Sequence, residues 1–160
     1  MSRDTESNKK YSLRRLINKV LQSIAKSSLL SGYMRSRVQM LRGVNFDDPS
    51  KVFLGEDVIL DAIAPENITI KNGVEIAAGT KIVTHFPDTK NFSKNKDYHY
   101  RFYQGKVVIE EDVFLGFNCV IAKPVTIGKG SVIGANTVIT KDIPPNSIVV
   151  APECINLKKT

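Results

Sequence analysis

In the second half of the chain an aliphatic residue returns at every sixth position, at Ile109, Leu115, Ile121, Ile127, Ile133 and Ile139, and Gly116, Ala122, Gly128 and Gly134 directly follow four of these six. An α-helix repeats near every 3.6 residues and a half-buried strand every two, so neither produces this spacing. A fixed period of six marks a parallel β-solenoid, in which each repeat is a short strand plus a tight corner and buries its apolar face only by stacking on its neighbours. Four residues after each anchor come Val113, Cys119, Val125, Ser131, Thr137 and Ile143, small or β-branched side chains suited to a second inward position on a pleated strand. Three hexads then close one triangular coil. Ile109 stacks on Ile127, Leu115 on Ile133 and Ile121 on Ile139 at the usual strand separation of about 4.8 Å, and the glycines and alanines fall at corners that tolerate little bulk.

The same phase runs through Leu54 and Leu60 and again through Ile70, Ile76 and Ile82, with Gly55 and Ala77 behind their anchors and Val58, Val74 and Thr80 at the second inward position. Two interruptions break it. A small slip falls around Ala64-Pro65-Glu66, and a long insertion runs over 86–105, polar at first and then aromatic with Tyr98, Tyr100, Phe102 and Tyr103. A loop of that length inside a regular array is a functional feature more often than an idle one. Upstream the period changes to a helical one. Leu13, Leu16, Ile17, Val20, Leu21 and Ile24 recur three and four apart, which predicts an amphipathic helix over Tyr11 to Lys26, and a second short helix is expected from Tyr33 to Arg42. The organisation expected is a disordered stretch over 1–10, a basic helical segment over 11–43, a solenoid over 44–150 with its inserted loop, and a tail over 151–160.

A chain of 160 residues, 42% hydrophobic and 24% charged, suits one globular domain. Cys119 and Cys154 have no framework or C-x-x-C spacing, which favours a reducing, cytoplasmic setting. The net charge of +7 is concentrated: nine basic and no acidic residues lie between Asn8 and Phe46. Lysines and arginines interrupt the apolar positions there too often for a signal peptide or a membrane span. Two roles are open to this basic helix. Its apolar face can cover the unpaired edge of the first coil, or its basic face can rest on anionic lipid as a peripheral contact at the inner membrane face. Nucleic acid is not an expected partner, since no groove-reading motif surrounds the charges.

The repeat block, ending in Val138-Ile139-Thr140-Lys141-Asp142-Ile143-Pro144-Pro145-Asn146, resembles the hexapeptide-repeat acyltransferases over 44–150. With Arg42-Gly43-Val44 leading to Phe53-Leu54-Gly55-Glu56-Asp57-Val58, it is most similar to the sugar and polysaccharide O-acetyltransferases, including the galactoside and maltose enzymes. The resemblance implies an all-β chain, a left-handed parallel β-helix with an N-terminal α-helical segment. It also implies a homotrimer with an acetyl-CoA site between subunits, and O-acetylation of a sugar hydroxyl in surface polysaccharide biosynthesis.

Acyl transfer from a thioester to a hydroxyl needs a base, donors for the oxyanion and two substrates held end to end. Histidine suits the first role at neutral pH, and the chain has two. His85 sits where Ile82-Val83-Thr84 gives way to the long loop and matches the family's catalytic histidine. His99, flanked by Tyr98 and Tyr100, is placed with Tyr100 and Arg101 at the acceptor. The family's asparagine partner has no clean counterpart, so Asp57 or Asp61 is the carboxylate expected to stand in for it or to meet the acceptor, and Asp88 is a further candidate to orient His85. On the family pattern Phe117, Ala135, Thr140 and Lys141 border CoA, and Lys158 and Lys159 can neutralise its phosphates. No metal is expected, because a zinc site on this scaffold needs more histidines than the chain offers. Cys119 is read as buried and inert. Amino-sugar N-acetylation and a non-catalytic assembly scaffold remain the alternatives.

Overall fold

The computed structural model describes residues 3–90 and 102–151. Two helices lead into four stacked coils. α1 spans Arg3–Lys26 and α2 spans Gly32–Leu41. The first coil holds β1 (Asn45–Phe46), β2 (Phe53–Leu54) and β3 (Ile59–Leu60). The second holds β4 (Ile68–Ile70), β5 (Glu75–Ile76) and β6 (Lys81–Ile82). A hairpin of β7 (His85–Pro87) and β8 (Phe102–Gln104) follows. The third coil holds β9 (Val107–Ile109), β10 (Phe114–Leu115) and β11 (Val120–Ile121), the fourth β12 (Val125–Ile127), β13 (Val132–Ile133) and β14 (Val138–Ile139), and β15 (Ile148–Val149) ends the array.

The strands line up in three parallel sheets, β1-β4-β9-β12, β2-β5-β10-β13-β15 and β3-β6-β11-β14. Ile109 pairs with Ile127, Leu115 with Ile133 and Ile121 with Ile139, the stacking that the period of six requires. Both inward positions are buried: the anchors from Leu54 to Ile139 are at most 2% exposed, as are Val113 and Cys119, with Thr137 at 6% and Ile143 at 8%. The Cys119 thiol is pushed up from its ordinary value by burial, against weaker hydrogen bonds, as an inert core cysteine should be.

Corner chemistry separates into two positions. The residue after the anchor lies against the backbone of the next coil, so a Cβ at Gly55 would come 2.4 Å from Ala78 N and one at Gly128 2.4 Å from Pro145 N. The third residue after the anchor carries the left-handed backbone, with φ of 53° at Asp57, 58° at Asp112, 56° at Asn118, 59° at Asn136 and 57° at Asn146. Asp, Asn and Gly are the residue types that enter this region at least cost.

The helices depart from expectation in two ways. α1 begins at Arg3, ahead of the predicted Tyr11 and inside the stretch expected to be disordered. Nor does the apolar face of α1 cover the first coil: Leu13, Leu16, Ile17, Val20 and Ile24 are 44–62% exposed. The open edge of that coil is a row of carbonyl groups, which need hydrogen-bond donors more than apolar cover. Ser36 Oγ donates to Val52 O at 2.7 Å, Arg35 Nη1 to Leu54 O at 3.1 Å and Gln22 Nε2 to Val58 O at 3.1 Å. Arg42 donates to the carbonyls of Leu60 and Asp61. The cap is polar, and α2 supplies most of it.

Candidate active site

The site forms where the repeat is broken. β3 ends at Leu60, and the next residue, a small one at Gly55, Ala77, Gly116, Ala122, Gly128 and Gly134, is here Asp61. Its Oδ1 accepts from Ile63 N at 2.6 Å and from Ala64 N at 3.4 Å, a side-chain turn that diverts the chain into the short 3-10 helix Pro65–Asn67. This is the slip seen around Ala64-Pro65-Glu66. One coil above, Leu60 pairs with Ile82, which brings Thr84 and His85 over Asp61. Thr84 N donates to Asp61 Oδ2 at 2.7 Å, and His85 Nδ1 lies 2.6 Å from the same oxygen.

The protonation pattern follows from these contacts. Burial pushes the Asp61 carboxyl up, but hydrogen bonds from Thr84 N, Ile63 N and His85 outweigh it, and the group is held below its ordinary value. An ionised carboxylate only accepts, so Nδ1 carries the proton, and in the neutral ring Nε2 is the nitrogen with the lone pair. The His85 side chain is 34% exposed and that of Asp61 fully buried. The histidine can therefore meet a substrate while its partner fixes the ring from behind.

Arg42 holds the other end of Asp61. Its Nη2 donates to Asp61 O at 3.0 Å and both terminal nitrogens donate to Leu60 O at 3.2 Å, while Nη1 also donates to Gln22 Oε1 and Gln39 Oε1. Burial lowers the guanidinium to about 10, opposed by the charge of Asp61, so it stays protonated at neutral pH. Arg42 was legible beforehand only as one of nine basic residues and part of the family-like Arg42-Gly43-Val44.

The ends of the inserted loop are ordered as an antiparallel ladder, His85 with Gln104, Phe86 with Tyr103 and Pro87 with Phe102, where an open loop from Phe86 was expected. Residues paired across such a ladder share a face, so Gln104 and Phe102 stand on the side of His85; the His85 and Phe102 rings are 6.2 Å apart. Phe86 turns inward, 2% exposed, against Tyr103. Beside this face a pocket of about 240 Å³ is lined by Arg14, Asn18, Ala62, Ile63, Pro65, Glu66 and Gln104. Gln104, Arg14 and Asn18 were not singled out from sequence, because their convergence on this pocket depends on the hairpin and on how α1 docks. A larger hollow of about 410 Å³ beside the last coil, lined by Glu110, Thr126, Lys129 and Asp142 among others, does not include His85.

Of the other predicted residues, Asp57 is a left-handed corner residue whose exposed side chain pairs with Lys26 at 3.5 Å, so it is not the partner of His85. Asp61 is that partner and not an acceptor contact, since its buried carboxylate is consumed by four donors. Asp88 Oδ1 accepts from Lys90 N at 3.1 Å within its own turn. Thr140 and Lys141 are exposed and follow Ile139, at the corner where Asp61, Val83 and Ala122 follow Leu60, Ile82 and Ile121 in register. They belong to the edge that carries His85. Phe117, 60% exposed, and Ala135 form a column at the opposite end of the same sheet, one corner earlier. His99, Tyr100, Arg101, Lys158 and Lys159 lie outside the described residues. Among the described residues no cluster of three histidine, cysteine or acidic side chains suits a metal ion.

Comparison with known proteins bears on the scaffold. Residues 106–141 match the family described as the hexapeptide repeat of succinyl-transferase. The galactoside O-acetyltransferase of Lactococcus lactis is 35% identical over 98 residues, covering 58% of this chain and 47% of that protein. Among solved structures, a galactoside acetyltransferase in complex with coenzyme A superposes with a TM-score of 0.57 at 22% identity, over 88% of this chain and 77% of the other. A maltose O-acetyltransferase from Clostridium difficile 630 gives 0.54 at 23% identity, over 92% and 87%. These likenesses establish the architecture, the left-handed parallel β-helix. This chain spans between about a tenth and about half of the length of the curated relatives it matches.

Proposed function

We propose that this chain, which carries the hexapeptide repeats and the coiled architecture of the left-handed β-helix acetyltransferases, moves an acetyl group from acetyl-CoA to a sugar hydroxyl with His85 as the general base. The observation that carries the reading is the pair of a buried, ionised Asp61 and a half-exposed His85 at 2.6 Å. A strand-end histidine with a purely structural role has no need of a carboxylate held by three backbone N–H groups behind it.

In the reaction the acceptor hydroxyl gives its proton to Nε2 of His85 as its oxygen attacks the thioester carbonyl. Asp61 keeps the proton on Nδ1 and stabilises the imidazolium that forms. Collapse of the tetrahedral intermediate breaks the C–S bond, and the proton held at Nε2 passes to the departing CoA thiolate, which returns His85 to its starting state. The acceptor would enter from the face of Gln104 and Phe102. The acetyl-CoA side would follow the edge of Ala122, Thr140 and Lys141, with a homotrimeric neighbour closing the groove. A carbohydrate acceptor from surface polysaccharide assembly, handled in the cytoplasm, is the substrate class we assign, because one relative and one structural neighbour that match over most of the coils are named for galactoside and maltose.

The test is acetyl transfer from acetyl-CoA to a panel of oligosaccharides, nucleotide sugars and amino sugars, with the linkage read by mass spectrometry and CoA release followed continuously. Ester products are expected, and His85→Ala should lose about 100-fold or more in kcat with its melting temperature nearly unchanged. Amide products would reassign the enzyme to N-acetylation. Absence of transfer to every acceptor, or full activity in His85→Ala, would refute the reading.

A further inference from the structure

We infer that α1 docks the protein on an anionic lipid surface, lying in the plane of the membrane on the stripe Leu13, Leu16, Ile17, Val20 and Ile24. These five residues are 62%, 59%, 48%, 52% and 44% exposed, and their three-and-four spacing puts them along one side of the helix. The opposite side is already committed: Asn18 is 7% and Ala25 2% exposed, and Gln22 reaches Val58 O. The stripe is therefore a second face, and no element among the described residues covers it.

Charge selects the occupant. α1 has seven lysines and arginines against Asp4 and Glu6, both ahead of the stripe, so a second copy of α1 brings a further net charge of +5 to the same face. A lipid surface bearing negative headgroups matches both properties at once, apolar side chains entering the boundary and basic ones meeting phosphate. From Leu13 to Ile24 the helix rises about 16 Å at ~1.5 Å per residue, and no helix of the described residues is long and apolar enough to cross a bilayer. Lying on the surface is the geometry left to it. Arg14 and Asn18 line the pocket beside Ile63 and Gln104, so docking sets the wall of that pocket within about one helix diameter, ~10 Å, of the headgroups.

The experiment is co-sedimentation of the full chain with phosphatidylcholine vesicles, with and without phosphatidylglycerol, at low and high salt. Wild type should pellet with the phosphatidylglycerol vesicles and be released by salt. The double variant Leu16→Glu with Val20→Glu should partition about tenfold more weakly or worse, and Lys9→Glu with Lys10→Glu should lose binding mainly to the charged vesicles. Circular dichroism and sedimentation-equilibrium mass are read alongside. Failure of wild type to bind phosphatidylglycerol vesicles would overturn the inference, as would undiminished binding by Leu16→Glu with Val20→Glu. A fall in oligomeric mass in that variant would also overturn it and make the stripe a subunit contact. None of these readouts involves acetyl transfer, so the docking and the chemistry stand or fall separately.

Discussion

Asp61→Asn keeps the size of the side chain and removes its charge, which makes it the sharpest probe of the site. Asp61 takes donors on both oxygens, Thr84 N and His85 Nδ1 on one, Ile63 N and Ala64 N on the other. Asparagine has a single acceptor oxygen. If that oxygen faces Ile63 and Ala64, its NH₂ confronts the Thr84 N–H and forces the His85 proton from Nδ1 onto Nε2, where it blocks acceptance of the substrate proton. If it faces His85, Ile63 N is left buried and unpaired, at a cost of about 1–3 kcal/mol. Since the ring can no longer be held as the correct tautomer with charge behind it, kcat should fall by about 10²–10⁴, or about 2.7–5.4 kcal/mol of barrier at ~1.36 kcal/mol per decade. KM for acetyl-CoA should change little. Steady-state rates with each substrate varied, together with a thermal melt to confirm folding, decide it: a folded Asp61→Asn with wild-type kcat removes the basis for calling His85 the base.

The same carboxylate predicts the acid limb of stability. Its folded value lies below the ordinary one, so its contribution is fully present above the unfolded carboxylate value, about 3.9, and is lost as pH falls through the lowered folded value; the melting-temperature gap between wild type and Asp61→Asn should narrow in that acid range and be flat around neutrality. Gly55→Ala sets a Cβ 2.4 Å from Ala78 N and should lower unfolding free energy by about 1–3 kcal/mol, measured by denaturant titration. Arg42→Met strips the donors from Leu60 O and Asp61 O and should destabilise by about 2–5 kcal/mol; in the folded fraction kcat should drop while KM for acetyl-CoA holds, because Arg42 acts through the backbone of Asp61.

What sequence could show divides along the boundary between local and relayed information. The anchors Ile109 to Ile139 and their partners four residues on are repeated many times, and repetition fixes both period and register, so the stacks of Ile109 on Ile127 and Leu115 on Ile133 were legible before any coordinates. His85 was legible for a related reason, as a titratable residue placed where the rhythm stops. Asp57 and Asp61 were not separable, because they lie four residues apart and the deciding fact is three-dimensional: Asp57 points outward from a left-handed corner, and Asp61 meets backbone N–H groups of its own turn and of the next coil. The direction of α1 was misjudged because its apolar spacing says which residues share a face, not which face meets the coil. That choice is made by the carbonyl edge, which rewards Gln22, Arg35, Ser36 and Arg42.

The position of the site in the fold follows from where the regular stacking is interrupted. Behind Leu54, Leu115 and Ile127 the residue after the anchor must be small, since the neighbouring backbone lies 2.4–2.6 Å from any added Cβ at Gly55, Gly116 and Gly128, while other corners carry larger residues, Lys71, Glu110 and Thr140 among them. Asp61 draws its donors from both interruptions, Ile63 N and Ala64 N from the turn ahead of Pro65–Asn67 and Thr84 N from the residue that leads into the β7–β8 hairpin, and these N–H groups favour its ionised form. The proposed catalytic pair, Asp61 and His85, therefore depends on both interruptions together. Shortening the hairpin to a plain corner should cost the enzyme its acetyl transfer while the coils still stack, and retention of transfer after that deletion would show that the interruption near Ala64 alone is enough to build the site.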